Sequence, residues 1–297
     1  MTLKKNKLAK AIAIAMTGTA LSVGASSAVA STTMYNTFTT AATTDTDGWT
    51  RTFDNGTATP GIATGPESQG NKGTVVPWLG TSGGALPFNY AGSSHLNWAV
   101  QLSSAGDSAT ISAADSLAKY GTAAEIDTGG GAWRDNVTPT GWKHQTDIGL
   151  VKSDVAQNIT LNLTTLGNLL PSTFSKFGIT VFDGMDTSTA NYSHHGSWNN
   201  PVASKPYTAS SPFGTTGLTN IGYSDTVDGV NGYTFTAQVG HVYSIYLGGV
   251  DFSKWNTGVD GYALNMTTSA VPVPGAVWLF GSALAGFIGL RHRNIAA

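Results

Sequence analysis

The run Gly141-Trp142-Lys143-His144-Gln145-Thr146-Asp147 and, far downstream, the adjacent pair His194-His195 hold the side chains best suited to chemistry in this chain. Histidine is scarce, with six in all, and a ligand set needs imidazoles to converge. In extended backbone, residues i and i+2 project to one face, which predicts Trp142 and His144 side by side. One ring of the His194-His195 pair could close on the same point and complete a site of two imidazoles and one indole. Two imidazoles without a carboxylate suit copper or zinc better than calcium, magnesium or manganese, which prefer oxygen. Zinc ordinarily takes a tetrahedral ligand set, whereas closed-shell copper(I) accepts few donors. An indole N–H only donates, so Trp142 could ligate only after oxidation to kynurenine, which carries an aromatic amine. Cysteine is absent, so any metal site here does without thiolate.

Oxygen ligands are also grouped. Asp45-Thr46-Asp47-Gly48, Asp183-Gly184-Met185-Asp186 and the run Asp225 to Gly232 place acids close together, and a structural calcium in one of these loops is an expectation. Asp, Asn and Gly are equally the residues of ordinary turns. Gly80-Thr81-Ser82-Gly83-Gly84 fits the G-x-S-x-G string of a serine hydrolase, but Pro87 forbids the helix that a nucleophile elbow needs. With no paired-carboxylate spacing either, the chain reads as a non-enzyme. His95 and His241 read as structural or strand-edge residues, and His292 as part of a basic tail.

Both ends resemble sorting signals. A basic start, the apolar run AIAIAMTGTALSVGA and Ala28-Val29-Ala30 make a secretory signal peptide over residues 1–30, so the mature chain is expected to begin at Ser31. Near the other end, Pro272 and Pro274 precede the apolar GAVWLFGSALAGFIGL, and Arg291 and Arg293 follow it. That stretch is shorter than the roughly 20 residues of a spanning helix. Residues 270–297 resemble the PEP-CTERM sorting signal, which implies processing by an exosortase in a Gram-negative envelope. Signal peptidase and exosortase are therefore expected partners, with the outer membrane or exopolysaccharide as the destination.

The body at 31–269 must supply the frame. Charged residues make up 11% of the chain, glycines number 37 and tryptophans eight, a composition that suits an exported β-protein. Net charge is −2, with no basic stripe in the body, so nucleic acid is an unsuitable partner. Strands are predicted at Thr33–Thr40, His95–Leu102, Ser108–Ser112, Asn158–Leu163, Phe177–Phe182, Tyr233–Val239, Val242–Val250 and Tyr262–Thr268. Asn158 to Leu163 alternates polar and apolar, so one face is wet and the other buried. Val239-Gly240-His241 reads as a hairpin link, and Asp228-Gly229 with Asn231-Gly232 as a turn. Ala113–Ala124 is the one plausible helix, and Asp54–Gly92 reads as long Gly-rich loops. The expectation is a single all-β domain, a sandwich or jelly roll. Asp147 to Gly249 loosely resembles the pre-peptidase C-terminal jelly roll, through FGITVFDG and YSIYLGG.

The segments GWKHQTDIGLVKSD, NYSHHGSWNNP and YTASSPFGTTGL resemble the copper-binding surface proteins of methane-oxidising bacteria, the CorA family with the C-terminal part of MopE. The likeness spans most of Trp98 to Thr267. It implies copper(I) held by His144, by His194 or else His195, and by Trp142 oxidised to kynurenine. The function so implied is copper acquisition, storage or buffering at the cell surface. The alternative is a non-catalytic matrix or carbohydrate-contacting protein, for which Trp49, Trp78 and Trp255 would be surface aromatics.

Overall fold

The structure is a computed structural model and describes residues 31–38, 50, 74–136, 140–167, 174–189, 196–198, 212–252, 259–272, 279–280 and 282–284. The strands are β1 (Thr32–Asn36), β2 (Trp78–Leu79), β3 (Trp98–Leu102), β4 (Ser108–Ile111), β5 (Asp127–Gly129), β6 (Arg134–Asp135), β7 (Gly141–Trp142) and β8 (Asp147–Ser153). They continue as β9 (Gln157–Thr165), β10 (Phe177–Asp183), β11 (Ser197–Trp198), β12 (Thr219–Val227), β13 (Tyr233–Ala237), β14 (Val242–Phe252) and β15 (Val259–Ala270). A short helix, α1 (Ala113–Tyr120), lies between β4 and β5. The Ser112 hydroxyl accepts the Asp115 amide at its start, and Gly121, at φ 74°, closes its end.

The architecture is an all-β sandwich. One sheet runs β12-β10-β14-β8-β3-β1-β2, with β6 joined to β14; the other runs β13-β9-β15-β4, with β5 joined to β15. Pairing is antiparallel except for β3 with β8 and β6 with β14. All eight predicted strands form, with shifted ends, and the helix stops at Tyr120 because Gly121 turns left-handed.

Alternation shows why these segments are strands. On β9, Ile159, Leu161 and Leu163 are fully buried, while the residues between them are partly exposed. They meet Val151, Ile179, Val181, Ile245, Leu264 and Met266 in the core between the sheets. Burial of each such side chain contributes roughly 1.5–3 kcal/mol. The large sheet is buried on its other face too. Met34, Ala99, Leu150, Phe182 and Tyr246 point there into a second core with Trp133, Trp198 and Phe213, which lie outside that sheet. Trp133 fits because Gly178 has no side chain: a Cβ there would run into its indole ring. Its Nε1–H donates to the Thr180 hydroxyl at 3.0 Å.

Three expectations are corrected. Val239-Gly240-His241 is not a hairpin: β13 pairs with β9 and β14 with β8 and β10, so this link carries the chain from one sheet to the other. Trp78 is not a surface aromatic; β2 pairs with β1, and Trp78 packs among Met34, Tyr90 and Leu96 at 3% exposure. Two long strands, β8 and β12, and the short β2, β5, β6, β7 and β11 are found where none was predicted. The turn at Asp228 forms as expected, with its carboxylate accepting the Val230 and Asn231 amides at 2.8 and 2.6 Å.

Candidate metal centre

Two short strands build the site. β7 pairs antiparallel with β11, matching Trp142 to Ser197 and Gly141 to Trp198. The next rung continues the ladder: the Lys143 amide donates to the Gly196 carbonyl at 3.1 Å. The Ala132 carbonyl fastens this ribbon to the second core. It accepts the Trp142 amide at 2.7 Å, the Trp198 indole N–H at 2.9 Å and the Thr146 hydroxyl at 3.2 Å. Gly141 is required beneath them, since a Cβ there would collide with the Trp198 indole and the Ala132 carbonyl. Trp198 packs edge-on against Trp133 and Phe213, at centroid distances of 6.3 and 5.2 Å. Lys143 places its ammonium 5.7 Å from the Phe213 ring.

The expected side-by-side projection of Trp142 and His144 is corrected. Trp142 is extended, but Lys143–Gln145 is a 3-10 turn, closed by the Thr146 amide on the Lys143 carbonyl at 3.2 Å. The i and i+2 rule of a strand therefore does not apply. The Thr146 hydroxyl locks the corner by donating to the Trp142 carbonyl at 2.9 Å. Trp142 and His144 are both buried, at 8% and 7% exposure.

Sequence reasoning missed the neighbour of His144. His95, just before β3, is 2% exposed, and one of its ring nitrogens, Nε2, lies 2.9 Å from the Thr146 carbonyl. Burial, and secondarily the nearby His144 charge, push its pKa down to about 4 against the pull of that carbonyl. It is a neutral imidazole at neutral pH. The signal available was only that the parallel pairing of β3 with β8, matching Trp98 to Gly149, carries the preceding residues past Thr146. Gly149 makes that pairing possible, because a Cβ there would enter the Trp98 ring.

His194 and His195 lie outside the described residues, as do Pro274, Arg291, Arg293, Trp49, Trp255, the Asp45-Asp47 loop and residues 1–30. Pro272 is described and exposed, and residues 279–280 and 282–284 are helical. Among the described residues no helix is long and apolar enough to cross a membrane, and no three His, Cys, Asp or Glu side chains surround one point. The described acids of the two predicted oxygen-ligand runs, at 183–186 and 225–232, have protein partners. Asp186, at 3% exposure, accepts the amides of Ser93, Ser94, Ser188 and Thr216 at 2.9 to 3.1 Å. Asp183 faces His241 Nδ1 at 3.1 Å, and Asp225 pairs with Arg134 at 3.1 Å. Ser82 opens an exposed 3-10 turn with no α-helix behind it, which is not an elbow.

No family model and no curated protein matches this chain. Among solved structures it is similar to CorA, a surface-associated copper-binding protein important in copper acquisition by Methylomicrobium album BG8. The two share 15% identity over 54% of this chain and 92% of that one, with a TM-score of 0.31. So loose a superposition assigns no residue a role.

Proposed function

We propose that the chain is an exported surface protein that binds copper(I) through His144, one residue of the His194-His195 pair, and an oxidised Trp142. One observation carries this reading: the Lys143 amide is bonded to the carbonyl of Gly196, and the residue before Gly196 in the chain is His195. The pair is next to that rung in the sequence, which supports counting one of its imidazoles with His144 as a ligand.

The chemistry suits the cargo. No thiolate exists anywhere in the chain, and imidazole nitrogen suits copper. His95 adds a neutral ring next to His144 without adding positive charge. The aromatic wall of Trp133, Trp198 and Phe213 shields the turn from water on its inner side. Kynurenine at Trp142 would supply an aromatic amine as a third nitrogen. The protein's part is to hold the donors in place and to keep the turn rigid.

The mature body would span residues 31–269, freed by signal peptidase, with residues 270–297 handled by an exosortase at the outer membrane or in exopolysaccharide. The role would be acquisition, storage or buffering of copper without turnover. Copper content of protein purified from its native host, together with the mass of the peptide containing Trp142, tests this reading. One copper per chain with an oxidised Trp142 is expected. A copper-free protein with Trp142 intact would refute it and leave a matrix protein.

A further inference from the structure

Past the His144 turn the chain enters β8 at Asp147. Asp147 is fully buried and accepts a short hydrogen bond from the Tyr262 hydroxyl through Oδ2. That hydroxyl in turn accepts the Trp98 indole N–H at 2.8 Å. On the other side of Tyr262, β5 pairs with β15 so that Asp127 sits opposite Gly261 and Thr128 opposite Asp260. Asp127 is 7% exposed and Asp260 1%. The Gln145 side chain lies across this strand, since a Cβ on Gly129 would strike its amide oxygen. The Gln145 carbonyl is held there by the Thr128 hydroxyl at 2.6 Å.

These acids lack what buried carboxylates need. The Oδ1 atoms of Asp127 and Asp147 are both shielded from water and accept no hydrogen bond. Among the described residues no lysine or arginine forms an ion pair with either. A buried ionised carboxylate without a partner is strongly unfavourable, and here two flank one tyrosine. Either protons or a cation must neutralise them.

We propose that a hard divalent cation of the calcium class sits between the two sheets here, with Asp127 and Asp147 as its carboxylate ligands. Two carboxylates balance a double charge. Calcium takes six to eight oxygens, many of them neutral, and the Gln145 amide oxygen and nearby backbone carbonyls are of that kind. Among the described residues no three acids surround one point, so the neutral oxygens complete the shell. Copper(I) would not compete, because these side chains offer oxygen. The role is structural: the ion would tie β5, β8 and β15 together at the root of the His144 turn.

Terbium is a calcium substitute whose luminescence is excited by nearby indoles, and Trp98 is hydrogen-bonded into this chain of groups. After treatment with chelator, the full-length protein should give terbium luminescence under tryptophan excitation, and added calcium should quench it. Calcium at about a hundred times its Kd should raise Tm by about 5 °C. Asp127→Asn and Asp147→Asn should each abolish both signals while leaving copper stoichiometry unchanged, so failure here is distinct from failure of the copper reading. Should Asp147→Asn not fold, Asp127→Asn and the wild-type titration still decide. Wild-type protein giving neither signal, with Asp127→Asn at least as stable, would overturn the proposal in favour of protonated acids. Luminescence persisting in both variants would also overturn it and move the ion to another loop.

Discussion

The Lys143 amide donates to the Gly196 carbonyl at 3.1 Å, joining segments more than fifty residues apart at the rung beside His144. The two residues before Gly196 in the sequence are His195 and His194, the pair proposed to supply the second imidazole.

His144→Ala should therefore abolish copper binding, and only one of His194→Ala and His195→Ala should do the same. The loss should exceed about a hundredfold in affinity, the upper range for removing a mere outer-shell partner. Competition titration with a chromophoric copper(I) chelator measures it. Equal effects from both downstream variants would mean that neither ring is the specific ligand.

Gly196 adopts φ 84°, and no described residue lies within 4 Å of a Cβ added there. Gly196→Ala should thus strain the backbone without steric collision, at a cost of roughly 1 kcal/mol. Copper affinity should drop measurably while the overall fold, followed by circular dichroism, stays intact.

Stability should fall in mild acid through His95. Its folded pKa of about 4 lies below the ordinary 6.5, so between those values the unfolded chain takes a proton that the native protein refuses. The contribution is fully present above pH 6.5 and is lost as pH falls towards 4, at about 1.4 kcal/mol per pH unit. From pH 7 to pH 5 the loss is about 2 kcal/mol. Urea denaturation at both pH values, in saturating calcium, should show this difference in wild type and a much smaller one in His95→Gln.

Gly178→Ala should destabilise the protein by about 1–3 kcal/mol, the range for overpacking a filled core, because the added methyl enters the Trp133 indole. A shifted urea midpoint with an unchanged slope is expected. Copper binding should weaken too, since Trp133 adjoins Ala132, the anchor of the β7–β11 ribbon.

Much of this frame is legible from pattern, and the lapses have physical reasons. β9 alternates plainly because one face is buried and the other wet. β8 does not, since the large sheet is covered on both sides and Ile148, Leu150 and Val151 are all buried. β12 is an edge strand with Gly222 at its middle and register shifts against β10, so its apolar pattern is faint. A short link between apolar runs suggests a hairpin, yet Gln238 to His241 joins two sheets, a difference fixed only by each strand's other partners. The Trp142-x-His144 pair was identifiable by type. Its geometry was not, because the Thr146 hydroxyl bends a stretch that reads as extended, and His95 is brought near by a parallel pairing that no local pattern encodes.

β15 lies between β9 and β4 and is paired with β9 along nearly its whole length, from Tyr262 to Ala270. Ala270 ends that strand, two residues before Pro272. Tension applied beyond Pro272 would load this ladder in shear, with many backbone bonds resisting together, and not peel them off one by one as at a free margin. A molecule tethered by that end would resist flow or drag without loosening the turn that holds His144.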